Sequence, residues 1–349
     1  MERNELVLLR LSNQYLLHAG ERMRVLRAMN GFQAQFLSNA LHAMRLRCAA
    51  YDNAHAADGL VKGWTLRGTM HIFAEADLPL FLHTGCRYRS RDWTVPSFWN
   101  QRPNWALTPK RQAYFSDLII DALAQGPMTR EALKARCRAA GMTQAEEGSI
   151  FHPWGGGIRE LCERGFLCGT VSEEKAFRLC PAFTPMEEQD ALLEQTRRYF
   201  TNYGPASIRD AAYYFDTSQA EIKKRLARLP VEVAECEGQR LFSLHSGRMP
   251  EQAIPDCLLL AGFDPLVLGY EKKQSIFLPQ EYLRGIFSLS GIVMPPVLLH
   301  GSAAGRWKHS GKRLLITQFR PFSQEERGFA EAAAAQLWGE AVQPVFQDA

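Results

Sequence analysis

The chain has 349 residues, 46% hydrophobic and 22% charged, which is globular composition over more than one domain and excludes a disordered or collagen-like protein. Its net charge of +4 and pI near 8.6 permit an anionic partner without requiring one. No apolar run approaches the roughly 18–20 residues of a membrane span, and the N-terminus has charge inside its apolar stretch and no small-residue cleavage site, so the expectation is a cytoplasmic protein off the membrane.

In chain order, apolar spacing predicts helices over 4–17 and 20–29, broken at Ala19-Gly20, and another over 31–48. KGWTLRGTMHIF at 62–73 reads as strand, turn, strand around Gly68. Residues 86–107, rich in Arg, Trp and Pro, read as an irregular loop. A helix over 109–125 stops at Gly126-Pro127, and Thr129 caps the next, which Gly141 ends. Helical spacing returns over 147–164 behind a Gly-rich opening, and FLCGTVSEEKAFRLC reads as strand, polar turn, strand. Three helices and then a hairpin is the winged-helix order.

The order recurs. A helix over 187–203 stops at Gly204-Pro205, Ser207 caps IRDAAYYF, and either Asp216 or Ser218 caps QAEIKKRLARL. VEVAECEGQRLFSL then reads as a hairpin with its turn near Glu237-Gly238. The Gly-Pro-x-Ser/Thr starts at 126–129 and 204–207 read as equivalent points of an internal repeat. The last hundred residues read as a β-rich closing module, with Ser323 and Glu326 boxing a final helix. The expected segments are therefore 1–105, 106–185 and 186–250, each a winged helix, and 251–349.

Local charge is stronger than the total. Residues 1–50 hold seven Arg, Arg45 and Arg47 among them, against three Glu. Residues 87–111 hold five Arg and Lys110 against Asp92 alone, and 301–324 hold five cations and no acid. Such clusters beside winged helices are the footprint of a phosphate backbone, and Arg suits bidentate phosphate contacts.

The eight cysteines form no CxxC pair and read as buried thiols rather than a zinc site or disulfide framework. P-loop, HExxH, GxSxG and GxGxxG signatures are missing. His71 follows an Arg and a Thr on an expected strand, where a single His is ordinarily structural. Asp264, before Pro265 in an apolar stretch, reads as a turn cap or as a catalytic support.

The segment GFQAQ at 31–35 resembles the Gln-x-Gln motif of the AlkZ DNA glycosylases, in the wider AlkZ/YcaQ winged-helix group. WTLRGTMHIF, RGFLCG after a Gly-rich helix, YGPAS, GFDPLVLGY and GRWK follow in that family's order over about residues 10 to 325. The YcaQ branch carries Gln-x-Asp, so Gln35 points to the AlkZ branch, while Ala34 is smaller than the family's usual middle residue.

The resemblance implies an α+β fold of three tandem winged helices around a C-terminal β-barrel-like module. It implies a monofunctional glycosylase that excises alkylated purines from double-stranded DNA, crosslinks included in some members, with no cofactor or metal. Gln33 and Gln35 carry over as the catalytic pair. Arg67, His71, Arg45, Arg306, Trp307 and Lys308 are the expected DNA contacts, Trp307 being equally readable as a core residue. A monomer is expected.

The chemistry is reasonable from below. An N7-alkylated purine is already cationic and leaves without a general acid. The enzyme must then place water at C1′ and stabilise developing charge, which a neutral amide can do by accepting from water through its oxygen and donating through its nitrogen. Two residues apart in mid-helix point roughly 200° apart. The pair therefore needs an extended segment or a helix end, and Gly31 favours an irregular start. Two other readings are a non-catalytic winged-helix DNA-binding protein acting as a transcription regulator, which would recognise paired half-sites, and an interaction module with no salt-dependent DNA affinity.

Overall fold

The computed structural model describes residues 1–52, 54–244 and 249–349. The chain divides into two compact units, Met1–Ala56 with Gln195–Ala349, and Ala57–Glu194. Both mix helix and strand. The four expected segments are finer than this division, and the third, 186–250, runs through positions 245–248, outside the described residues.

In the first unit α1 (Arg3–Asn13) and α2 (Arg22–Ala28) come first. Glu21 caps α2, its carboxylate accepting from the Met23 and Arg24 N–H groups at 2.8 Å each, and these bonds lower its pKa. The expected helix over 31–48 is corrected. Asn30 and Gly31 sit at φ 54° and 82°, in the left-handed region where a right-handed helix cannot start. β1 (Phe32–Gln33) is extended, and α3 (Leu37–Arg45) begins only at Leu37, with Leu37, Ala40, Ala43 and Met44 as its buried stripe.

The second unit opens with β2 (Leu60–Trp64) and β3 (Met70–Ala74), an antiparallel hairpin whose three-ten turn places Arg67 at φ 54° and Gly68 at φ 61°. After α4 (Leu78–Phe81), residues 82–108 carry neither helix nor strand. Then come α5 (Pro109–Leu123), β4 (Met128–Thr129), α6 (Arg130–Ala139), α7 (Gln144–Ile150), α8 (Gly156–Glu163), β5 (Leu167–Gly169), β6 (Ala176–Leu179) and the start of α9 (Glu188–Asn202), whose residues from Gln195 on belong to the first unit. Thr129 caps α6 by accepting from Ala132 N–H at 3.1 Å.

The expected single helix over 147–164 is two. Gly156, at φ 57°, breaks it, and a Cβ there would lie 2.2 Å from the Ser149 carbonyl oxygen, so only glycine fits. Within this unit the strands run β3–β2–β5–β6–β4, every pairing antiparallel. Phe115, Ile119, Leu133, Ile158 and Leu161 pack the core between helices and sheet.

The first unit resumes at Gln195 within α9 and continues with α10 (Ile208–Phe215), α11 (Gln219–Leu226) and the hairpin β7 (Glu232–Cys236) and β8 (Gln239–Ser243). Ser207 and Asp210 form a capping box. Ser218, not Asp216, caps α11, because Asp216 at φ 52° closes α10 instead. The hairpin turns on Glu237 and Gly238, both at positive φ.

β9 (Cys257–Leu259), α12 (Pro265–Leu268), α13 (Leu283–Ile286), β10 (Pro296–Leu299), β11 (Ser302–Ser310), β12 (Arg313–Gln318), α14 (Gln324–Trp338) and β13 (Gln343–Asp348) follow. The five strands are ordered β13–β12–β11–β10–β9. The sheet is open, with β9 and β13 as its edges, so the expected barrel-like module is corrected to an open sheet packed on Ala330 and Ala334 of α14. GFDPLVLGY is likewise not strand: Asp264 starts α12, its carboxylate accepting from Leu266 N–H at 2.9 Å.

Candidate active site

The Gln-x-Gln segment lies between two buried anchors within the first unit. Gln33 is buried on β1, at 9% exposure, and Gln35 is exposed two residues later, just before α3. No helical turn separates the two amides, which meets the geometric requirement set by their spacing.

The upstream anchor is a tyrosine cluster. The Met29 carbonyl accepts from the hydroxyls of Tyr203 at 3.1 Å and Tyr214 at 3.2 Å, and Asn30 Nδ2 donates to the Gln195 carbonyl at 3.2 Å. Tyr203 is held in turn. Its ring stacks on Tyr199 at 5.0 Å, and its carbonyl accepts from Tyr270 Oη at 2.8 Å. Burial pushes the Tyr199 and Tyr270 phenols up, so they stay neutral donors at any physiological pH. The left-handed turn at Asn30-Gly31 that delivers Phe32 and Gln33 therefore hangs on bonds from the third helical segment.

The downstream anchor is an ion pair. Arg47 Nη2 donates to Asp264 Oδ1 at 2.6 Å and Arg47 Nη1 to Asp264 Oδ2 at 3.0 Å. Neither side chain is exposed. Asp264 thus carries the cap and the ion pair together, and its carboxylate reaches no solvent. This fixes the loop before α12, where Phe263 sits at φ 57° and stacks on Phe36 with centroids 5.9 Å apart. Arg47 also lies 5.9 Å from the Phe32 ring centroid. GFQAQF and GFDPLVLGY, far apart in sequence, are one structural unit.

The remaining expected residues fall into two groups. In the first unit, Arg45 donates to the Leu337 carbonyl, Arg306 Nη1 to the Gly285 carbonyl at 3.3 Å, and Lys308 is exposed on β11. Trp307 is packed: its Nε1 donates to the Leu260 carbonyl at 2.8 Å, and its ring lies against His42 at 5.0 Å and Trp338 at 5.3 Å. In the second unit, Arg67 occupies the β2–β3 turn and His71 is buried on β3, Nδ1 3.1 Å from the Thr69 carbonyl oxygen. Burial, reinforced by the Arg67 charge, holds the His71 pKa to about 3, so the ring is neutral.

Sequence reading counted Arg47 only as one cation of a cluster and passed over Phe36 and Phe263. In fact Arg10 and Arg47 are buried, Arg10 against Asp210 at 3.8 Å and Tyr270 at 4.0 Å, so part of that cluster faces no ligand. Among the described residues no group of three or more His, Cys, Asp or Glu is placed to hold a metal, and no helix is long and apolar enough to cross a membrane.

The model of the AlkZ-like DNA glycosylase family matches residues 26–339. The chain belongs to that family. An "Interstrand DNA cross-link repair glycosylase" of Streptomyces sahachiroi is 29% identical over 322 residues, covering 85% of this chain and 84% of that one. The solved structure of Streptomyces sahachiroi DNA glycosylase AlkZ matches with a TM-score of 0.79 and 22% identity over the whole of both chains, a likeness of fold. In this AlkZ-like glycosylase the matched span contains the Gln33–Gln35 segment and both of its anchors.

Proposed function

We propose that this DNA glycosylase hydrolyses the N-glycosidic bond of N7-alkylated purines in double-stranded DNA, with Gln33 and Gln35 as its catalytic residues. The observation that carries the proposal is the segment itself. It is non-helical between Gly31 and Leu37, ends in an exposed amide, and is held at both ends by buried hydrogen bonds.

Gln35 accepts from water through its amide oxygen and directs it at C1′, while the amide oxygen of Gln33 turns its partial negative charge toward the positive charge that develops at C1′. The C1′–N9 bond breaks with its electron pair moving to the cationic purine, which leaves neutral. The water oxygen bonds to C1′ and its proton passes to solvent. An amide is a poor base, so an uncharged purine is not cut. Selectivity comes from the leaving group. The step needs water alone.

Asp264 is a positioning residue here, because its carboxylate is enclosed. Arg45, Arg67, Arg306 and Lys308 contact phosphates, and His71 and Trp307 brace the strands that carry such contacts. We read 1–105, 106–185 and 186–250 as three winged helices, supported by the repeated helix and hairpin order of the second and third. The chain acts as a monomer in the cytoplasm. The relative's name extends the proposed substrates to interstrand crosslinks, and bulky adducts are proposed beside them.

A duplex with a single 7-methylguanine tests this. Wild type releases free 7-methylguanine and leaves an abasic site, and Gln33→Ala and Gln35→Ala each slow single turnover by about 100-fold. A wild type that releases no base overturns the proposal.

A further inference from the structure

We infer that the exposed ring of Phe36, backed by Phe263, is a binding subsite for flat cationic heterocycles, on which the alkylated purine stacks before cleavage. This rests on the reading of Gln33 and Gln35 as the catalytic pair and names what recognises the base beside them.

Three observations meet at Phe36. It is 45% exposed, a large apolar ring left in solvent at the position directly after Gln35. Its ring is not loose: Phe263 lies 5.9 Å away at an interplanar angle of 30°. Phe263 itself is held in a costly conformation, φ 57°, which a bulky side chain rarely adopts.

Buried groups enforce that conformation. Asp264 is clamped by Arg47 and capped onto α12, and the loop is pressed against α3, where a Cβ at Gly262 would lie 2.7 Å from Asn39 Nδ2. A strained residue kept in place by a buried ion pair, to support a ring that water still reaches, is not explained by core packing. It is the arrangement expected of a fixed platform awaiting a ligand.

The chemistry of the platform identifies the ligand. The face of a phenyl ring is negative, so it favours a delocalised cation over a neutral ring of the same shape. An N7-alkylpurine is such a cation. Cleavage moves the glycosidic electron pair onto the purine and removes the charge, so the stack is stronger with substrate than with the transition state or the freed base. Phe36 therefore tightens substrate binding and eases base release, and it does not speed bond breaking.

Phe36→Leu and Phe36→Trp test this in single turnover against the 7-methylguanine duplex. Phe36→Leu raises the half-saturating enzyme concentration about five- to twentyfold while the maximal rate holds or rises, and Phe36→Trp restores tight binding. Anisotropy titrations with an undamaged duplex and an abasic duplex show the variants binding as wild type does, and urea midpoints agree. An unchanged half-saturation point in Phe36→Leu, or equal weakening on all three duplexes, overturns the subsite. Gln33→Ala and Gln35→Ala are run alongside. Active glutamine variants overturn the catalytic reading, whereas inactive ones with a silent Phe36→Leu overturn the subsite alone.

Discussion

Arg47 and Asp264 meet through two parallel hydrogen bonds, 217 positions apart in sequence and wholly enclosed. The pair joins the end of α3 to the start of α12. It brings the phenylalanine after the Gln-x-Gln motif against the phenylalanine of the second motif. Charge here serves register: a guanidinium with one partner geometry fixes where two loops meet.

Removing one partner should be far worse than removing both. Asp264→Ala leaves a buried guanidinium without its anion and should cost about 3–5 kcal/mol in urea denaturation. The double variant Arg47→Met with Asp264→Leu should recover most of that stability while base release stays impaired, because the loop loses its register. A single variant no less stable than wild type would show that the enclosed pair is not what fixes this junction.

Neighbours on β11 should separate into opposite roles. Lys308 is exposed, so Lys308→Ala should leave the urea midpoint unchanged, weaken duplex binding and reduce the salt slope by about 1. Trp307 is packed on His42 and Trp338, so Trp307→Ala should lose about 3 kcal/mol of stability and keep the salt slope. Anisotropy at several salt concentrations beside denaturation reads both, and an unchanged slope in Lys308→Ala would remove that residue from the phosphate contacts.

His71 should make stability fall with acid. Its pKa is near 3 in the folded chain against an ordinary 6.5, because burial disfavours the charged ring. Between those values the unfolded chain binds a proton that the native chain refuses, so stability drops as pH falls from 6.5 toward 3, by at most about 1.4 kcal/mol per unit, and its full contribution is present above 6.5. His71→Asn should lack this slope, so its difference from wild type should change steadily between pH 7 and pH 4. A difference independent of pH would show that His71 titrates normally.

Helix punctuation was the most legible part of the fold. Thr129, Ser207 and Ser323 all cap where their hydroxyls predict, because a cap is a local bargain between one side chain and the next turn. Long-range decisions were not legible. Residues 31–36 have apolar spacing that continues into α3, but Tyr203, just after α9, and Tyr214, on α10, hold the preceding turn open. Around Asp264 the apolar run suggests strand, whereas the carboxylate caps α12 and pairs with Arg47, a buried arginine just after α3. β13 escaped because its residues alternate on a mostly exposed edge and pair with β12 only after the crossover through α14.

For the candidate site, the motif named the amides and their spacing demanded a non-helical backbone, which is what the chain adopts. Charge counting misled at Arg10 and Arg47, since a tally cannot tell a solvated arginine from an enclosed one.

The separation of Arg47 from Asp264 also sets a timetable for synthesis. A ribosome adds roughly 5–20 residues per second, so the amino-terminal segment emerges about ten to forty seconds before the aspartate that locks it. Through that interval an incomplete nascent polypeptide carries both glutamines without the framework that aims them, and a truncated translation product is disarmed by construction.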